Sequence, residues 1–133
     1  MDARKIESIL ARFTLVLVAI YLPVETYASW RYGLLNPFYI GDAIAMALLV
    51  WGALRSLRAA PRSRPAILCA AYGWTGANAW RSTTLRIYEV RGGARLDHGD
   101  AEYWIVIVAT VLILACFGLS LWLVLQAKVS RSQ

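Results

Sequence analysis

The polar residues of this chain that could bind a ligand or take part in a reaction lie close to the ends of long apolar stretches. Glu25 follows one apolar stretch, Asp42 opens a second, and Asn78 and Arg81 lie near the end of a third. Trp74 precedes Asn78 by four residues and Arg81 follows it by three, so a helix places all three on one face. Two carboxylates beside an arginine can bind a polar or cationic ligand, transfer protons or act as acid and base. The candidate ligand-binding residues are therefore Glu25, Asp42, Trp74, Asn78 and Arg81.

The same residues also have a purely structural interpretation. Arg81 can neutralise Glu25 or Asp42 and hold neighbouring helices together without any ligand. Ionisable groups inside a membrane are costly unless they are paired or hydrated, and for that reason they suggest function. A catalytic role would require a carboxylate whose pKa is raised towards neutrality. A structural ion pair, a ligand or proton site and a catalytic pair all stay open at this point.

The stretch Tyr103–Ala127 indicates whether these residues lie in water or in a lipid bilayer. It carries no charge and is apolar on every face, and about 20 such residues suffice for a helix to cross a bilayer. The whole chain is 59% hydrophobic and 17% charged, whereas a soluble domain is about one quarter charged. The sequence therefore predicts an integral membrane protein in contact with a lipid bilayer.

The apolar stretches predict an all-α fold, a bundle of four transmembrane helices. Four spans of about 20 residues with short links use nearly all of the chain, so we expect one membrane domain over residues 1–133. Asn36 is placed to cap the second helix, and Gly92 and Gly93 are placed to end the third. The predicted helices cover approximately residues 7–30, 37–57, 65–91 and 101–127.

The distribution of charge predicts how the chain is oriented. Most of the 14 Lys and Arg residues lie in the N-terminus, the 55–64 link and the C-terminal tail, and positive charge marks the cytoplasmic side. We therefore expect a bacterial inner (plasma) membrane protein with both termini in the cytoplasm. A short polar loop, 92–102, faces outward between helices three and four. Cleavage of the first stretch as a signal peptide is an alternative.

Small residues indicate where other helices can approach. Gly41 and Ala45, and likewise Gly73 and Ala77, are four residues apart and form small faces that suit a homo- or hetero-oligomer. We expect no nucleic-acid binding, because the basic residues stand at the ends of apolar segments and not in one block. The chain shows no glycine-rich phosphate loop and no paired-cysteine motif, so we expect no cofactor and no metal.

Three functional hypotheses follow from these patterns. The first is a small non-enzymatic inner-membrane protein that acts as an accessory or partner-binding subunit, because the third helix is rich in small residues and catalytic motifs are lacking. The second is a binder or transporter of a small amphipathic or cationic ligand at Glu25, Asp42, Asn78 and Arg81. The third is a membrane enzyme that uses the same carboxylates. The sequence does not choose between them.

Overall fold

Four α-helices make up the fold in a computed structural model of the chain. The structure describes residues 2–30, 33, 35, 37–58, 65–93 and 100–129. The predicted all-α fold with four helices is confirmed for this part of the chain. In order, the helices are α1 (Ala3–Ser29), α2 (Pro37–Arg58), α3 (Pro65–Arg91) and α4 (Asp100–Val129).

The first helix begins earlier than the sequence pattern suggests. Its start was expected near residue 7, but α1 already begins at Ala3. The reason is local, because the Asp2 side chain accepts a hydrogen bond from the Arg4 backbone N–H at 3.2 Å and so caps the helix. The helix then continues through Pro23 without a break. The charged start of the chain is thus part of α1.

The other helix ends follow the turn chemistry of the sequence. The second helix begins at Pro37, as predicted, while its expected cap Asn36 lies outside the described residues. The third helix ends at Arg91, and Gly93 adopts a φ of 82°, a conformation that favours glycine. The fourth helix begins at Asp100, within one residue of its predicted start, so the polar loop predicted for residues 92–102 ends there. Residues 94–99 of that loop lie outside the described part.

Short links make consecutive helices run antiparallel and pack side by side. Contacts join α1 to α2, α2 to α3, α3 to α4, and α4 back to α1. Hydroxyl pairs mark two of these seams: Thr26 and Tyr39 join α1 to α2 at 3.0 Å, and Thr83 and Thr110 join α3 to α4 at 2.7 Å. These two seams each contain a polar link between the helices.

Side chains from all four helices form the core. Leu10, Leu49, Leu68, Tyr72 and Cys116 belong to one buried cluster. Large apolar residues also cover the outside, with high exposure along α4 and along one side of α1. An apolar exterior of this kind is expected when the surrounding solvent is hydrocarbon.

Three of the helices are long and apolar enough to cross a membrane. The segments are Ala3–Tyr27, Tyr39–Arg58 and Tyr103–Ala127. The prediction of an integral membrane protein is thus supported by length and composition. By the same criteria α3 is not among them, since its second half carries Asn78, Arg81 and further polar residues. The fourth span therefore stays a prediction.

Of the four small residues expected to form an oligomer face, two pack within their own chain and two are open to the outside. Ala45 is fully buried in the core. A Cβ added at Gly73 would lie 3.2 Å from the Phe117 ring of the same chain, so Gly73 packs within the chain. A Cβ added at Gly41 would have nothing within 4 Å, and Ala77 is exposed. Self-association stays a prediction, with only the last two positions open to another chain.

Candidate functional site

A cavity of about 490 Å³ lies where α1 and α3 end and α2 and α4 begin. We call this side of the molecule the cavity end. The volume falls within the range of about 300 to 1,000 Å³ that is typical of small-molecule pockets. All five residues singled out from the sequence line this one cavity. They are Glu25, Asp42, Trp74, Asn78 and Arg81.

The first wall of the cavity is centred on Glu25 of α1. Its carboxylate accepts hydrogen bonds from two hydroxyls of the same helix, from Ser29 to Oε1 at 3.0 Å and from Tyr21 to Oε2 at 3.3 Å. These residues lie four positions after and four positions before Glu25, so all three share one helix face. The two hydroxyls hold the carboxylate in a fixed orientation beside the cavity.

Asp42 of α2 extends the same wall. It is half-buried and lies within electrostatic reach of Glu25, so the two carboxylates repel one another. The hydrogen bond between Thr26 and Tyr39 joins α1 to α2 next to this pair. Two carboxylates held close together favour a positive charge between or beside them.

Residues of α3 also line the cavity. Trp74, Asn78 and Arg81 share a face, as their spacing indicates, and Ser82 and Arg86 continue it for another turn. Arg86 lies within electrostatic reach of the Tyr21 hydroxyl, as Glu25 and Asp42 also do. The cavity is therefore lined by acidic side chains of α1 and α2 and by basic side chains of α3.

Sequence reasoning missed four polar residues of the cavity. Ser82 and Arg86 lie four and eight positions after Asn78, so the helical face could have been followed one turn further. Tyr21 and Ser29 flank Glu25 by four residues on either side, and the same rule would have found them. These four residues could have been predicted from the sequence if each helical face had been extended further along its helix.

The cavity combines opposite charges with an aromatic surface. Trp74 lines the cavity and is 52% exposed, and an indole ring can bind a cationic group over its face. Gly41 leaves open space in the α2 wall. Among the described residues, no three His, Cys, Asp or Glu side chains come together as a group that could hold a metal ion. The arrangement suits the binding of a small charged or polar molecule.

No protein-family model matches this chain, and no curated protein or solved structure matches it either. The cavity and the helices around it are therefore the basis on which a function is argued.

Proposed function

We propose that this chain is a small integral membrane protein that binds a small amphipathic or cationic molecule in the cavity. The observation that carries the proposal is the convergence of Glu25, Asp42, Trp74, Asn78 and Arg81 on that one cavity. They come from three different helices. Binding or transport of a ligand accounts for the concentration of ionisable groups at this depth, where each is costly to place.

The packing of α3 supports its role as a fourth span. Near one end, α3 meets α2 where Gly52 faces the Leu68 backbone, and near the other it meets α4 through Thr83 and Thr110. A helix that follows two spanning neighbours over this length crosses the bilayer with them. Its polar side chains Asn78 and Arg81 line the cavity, so they need not face lipid alone. The proposal therefore includes four spans in the inner membrane, with both termini on the cytoplasmic side.

Native mass spectrometry after mild extraction tests the ligand site. We expect a small molecule bound to the wild type and lost from both Asp42→Asn, which removes a charge, and Gly41→Leu, which fills the open wall. Gly118→Leu is the matched control, because position 118 also has open space but lies outside the cavity lining. Glu89→Gln is the control for loss of a carboxylate, since Glu89 is exposed and does not line the cavity.

The opposite result would support a structural ion pair. A wild type that carries no small molecule, or a molecule that stays bound in both cavity variants, would contradict the proposal. In that case Glu25, Asp42 and Arg81 would serve to hold the helices together.

An accessory subunit is the second candidate function, favoured by the outer face of α3. Ala66, Ala70 and Ala77 are exposed there, and small residues allow a partner helix to approach closely. We expect Ala70→Leu to release a co-purifying membrane protein. Ala47→Leu, at an exposed alanine of α2, should leave that complex intact. Equal effects of the two substitutions would contradict this candidate.

A further inference from the structure

We propose that protons pass between the two ends of the helix bundle through polar side chains in its core. These side chains begin near the start of α1 and end at the cavity. We call them the polar path, and they are Glu7, Ser56, Thr14, Tyr72, Tyr21 and Glu25. The inference goes beyond the proposed ligand site, because it concerns the core below the cavity and can be tested without a ligand.

Glu7 is a buried carboxylate at the end of the bundle opposite the cavity. It is 3% exposed, and its Oε1 has no hydrogen-bond partner among the described residues. The basic residues within α1 and α2, in contrast, are all exposed: Arg4, Lys5, Arg12, Arg55 and Arg58. A carboxylate buried in a membrane helix is costly and suggests function, and proton relays are one known use.

Ser56 of α2 supplies a second unpartnered group at the same level of the bundle. It is buried, and its hydroxyl oxygen has no hydrogen-bond partner in the described part of the chain. Glu7 lies 19 residues before Thr26, and Ser56 lies 17 residues after Tyr39. Because Thr26 contacts Tyr39 and the helices are antiparallel, Glu7 and Ser56 differ in level by about 3 Å. A water molecule needs two or more polar partners to enter a core, and these two groups supply them.

A pair of hydroxyls continues the path in the middle of the core. Thr14 lies seven residues, or about two turns, after Glu7 on α1, and its hydroxyl oxygen is 2.7 Å from that of Tyr72. Both side chains are fully buried. Either hydroxyl can be the donor in this hydrogen bond, so the pair can pass a proton in both directions.

Two further buried hydroxyls lie beside this pair. Thr75 follows Tyr72 by one turn on α3, and Ser120 of α4 is near the level of Tyr72, because Phe117 packs against Gly73. The Thr75 and Ser120 hydroxyls each donate to a carbonyl of their own helix. The lone pairs of their oxygens can still accept a proton. The middle of the core thus offers hydroxyl groups from three helices.

The path ends at the wall of the cavity. Tyr21 follows Thr14 by seven residues and donates to Glu25 Oε2 at 3.3 Å, while Ser29 donates to Oε1 at 3.0 Å. Glu7, Thr14 and Tyr21 therefore repeat every seven residues, and a helix returns to nearly the same face after that number. The path has a carboxylate at each end and hydroxyls between them.

Proton transfer along this path leaves every residue as it was. The carboxylate at one end accepts a proton from water and passes it on. Each hydroxyl accepts one proton on its oxygen and donates its own hydrogen to the next acceptor, and the carboxylate at the other end releases a proton to water. Successive groups on α1 are about 10 Å apart, so water that enters transiently must bridge them. Because the rest of the core is apolar, we expect slow transfer of protons and no passage of hydrated ions.

Proton flux into sealed vesicles tests the inference. The purified full chain is reconstituted in vesicles of phosphatidylethanolamine and phosphatidylglycerol that contain potassium and a pH-sensitive dye. Dilution into a sodium medium with valinomycin sets a negative potential inside. We expect the wild type to acidify the interior about tenfold or more faster than occurs in vesicles without protein. Equal rates would overturn the inference, and so would entry of sodium ions as fast as protons.

Substitutions in the path and matched controls outside it locate the route. Glu7→Gln removes a carboxylate and Thr14→Val removes a hydroxyl, and each should lower the protein-dependent flux about tenfold. Glu89→Gln, at an exposed position, and Thr84→Val, at a hydroxyl bonded within its own helix, should keep the wild-type rate. Thr14→Ser retains the hydroxyl and should also keep that rate, which separates loss of the path from loss of stability. A wild-type rate in Glu7→Gln or Thr14→Val would overturn the inference.

Failure of this inference is distinct from failure of the proposed function. Glu7 and Thr14 do not line the cavity, so a small molecule bound there should be retained in Glu7→Gln and Thr14→Val, as measured by native mass spectrometry. A bound molecule without proton flux would overturn the proton path alone. Proton flux without a bound molecule would overturn the ligand site alone.

Discussion

At the scale of single residues, hydrogen bonds between hydroxyl groups join the helices at positions otherwise surrounded by apolar side chains. Thr14 of α1 and Tyr72 of α3 are both fully buried, and their hydroxyl oxygens are 2.7 Å apart. Thr14 also donates to the Leu10 carbonyl of its own helix. Because water is absent from such a core, each hydroxyl depends on a protein partner.

The Thr14–Tyr72 pair yields a measurable coupling energy. In a double-mutant cycle with Thr14→Val and Tyr72→Phe, we expect about 0.5 to 1.5 kcal/mol of interaction, as for other hydrogen bonds between membrane helices. The free energy of unfolding in mixed detergent micelles is the quantity to measure. Thr84→Val is the control for Thr14→Val, because Thr84 donates to the carbonyl of Trp80 within its own helix. Coupling of Tyr72→Phe to Thr84→Val as strong as to Thr14→Val would contradict the prediction.

A second residue-scale prediction concerns Glu7. It is 3% exposed, and its Oε1 has no hydrogen-bond partner among the described residues. An unsatisfied buried polar group costs about 1 to 3 kcal/mol, so Glu7→Leu should raise the free energy of unfolding by a comparable amount. Glu89→Leu, at an exposed position, should change it by less than about 0.5 kcal/mol. A less stable Glu7→Leu protein would show that the carboxylate has a favourable partner.

The helices α2 and α3 pack very closely at Gly52. Of the described glycines, Gly52 is the one at which an added Cβ would lie nearest to the backbone of another helix. A Cβ at Gly52 would lie 2.8 Å from the Leu68 Cα and 3.0 Å from its backbone nitrogen. Backbone atoms cannot rotate away as a flexible side chain can, so the two helices would have to separate. Glycine at this position sets the distance between α2 and α3.

Gly52→Ala should therefore destabilise the protein although alanine is the better helix former. Overpacking costs about 1 to 3 kcal/mol, which exceeds the gain of about 1 kcal/mol from replacing glycine in a helix. Gly118→Ala is the matched control, because nothing lies within 4 Å of a Cβ there, and it should stabilise slightly. Thermal unfolding in detergent measures both, and equal shifts of the two midpoints would contradict the packing argument.

At the scale of the whole molecule, the orientation of the chain decides on which side the cavity opens. Glu25 near the end of α1, Asp42 near the start of α2 and Arg81 in the second half of α3 line one cavity, so the end of α3 lies on the same side as the end of α1. With the start of α1 in the cytoplasm, as proposed, Arg91 and the cavity face outward, and in the inverted orientation both face the cytoplasm. The orientation therefore fixes the compartment from which a ligand arrives.

Cysteine labelling of intact spheroplasts separates these two orientations. We expect Arg91→Cys to react with a membrane-impermeant maleimide from outside, and Asp2→Cys to react only after permeabilisation. Both positions are exposed, whereas the natural Cys69 and Cys116 are buried and should react little. The unsubstituted chain measures that background. Protection of Arg91→Cys in intact spheroplasts would contradict the proposed orientation.

Much of the fold and part of the cavity could be predicted because the relevant information is local. Helix ends follow from proline at position 37 and glycine at position 93, whose backbone preferences act within one turn. The shared face of Trp74, Asn78 and Arg81 follows from the 3.6-residue period alone. The early start of α1 was missed because the cap by Asp2 precedes the apolar stretch that marks the helix.

The sequence by itself determined that this chain forms apolar helices with polar residues near one end, because composition and helical period are properties of each segment taken alone. Only the tertiary structure decided which faces meet. It brought Arg86 to the same cavity as Glu25 and Asp42, and it turned Ala45 and Gly73 towards their own chain. The physical reason is that packing between helices depends on side chains far apart in sequence, which no single segment specifies.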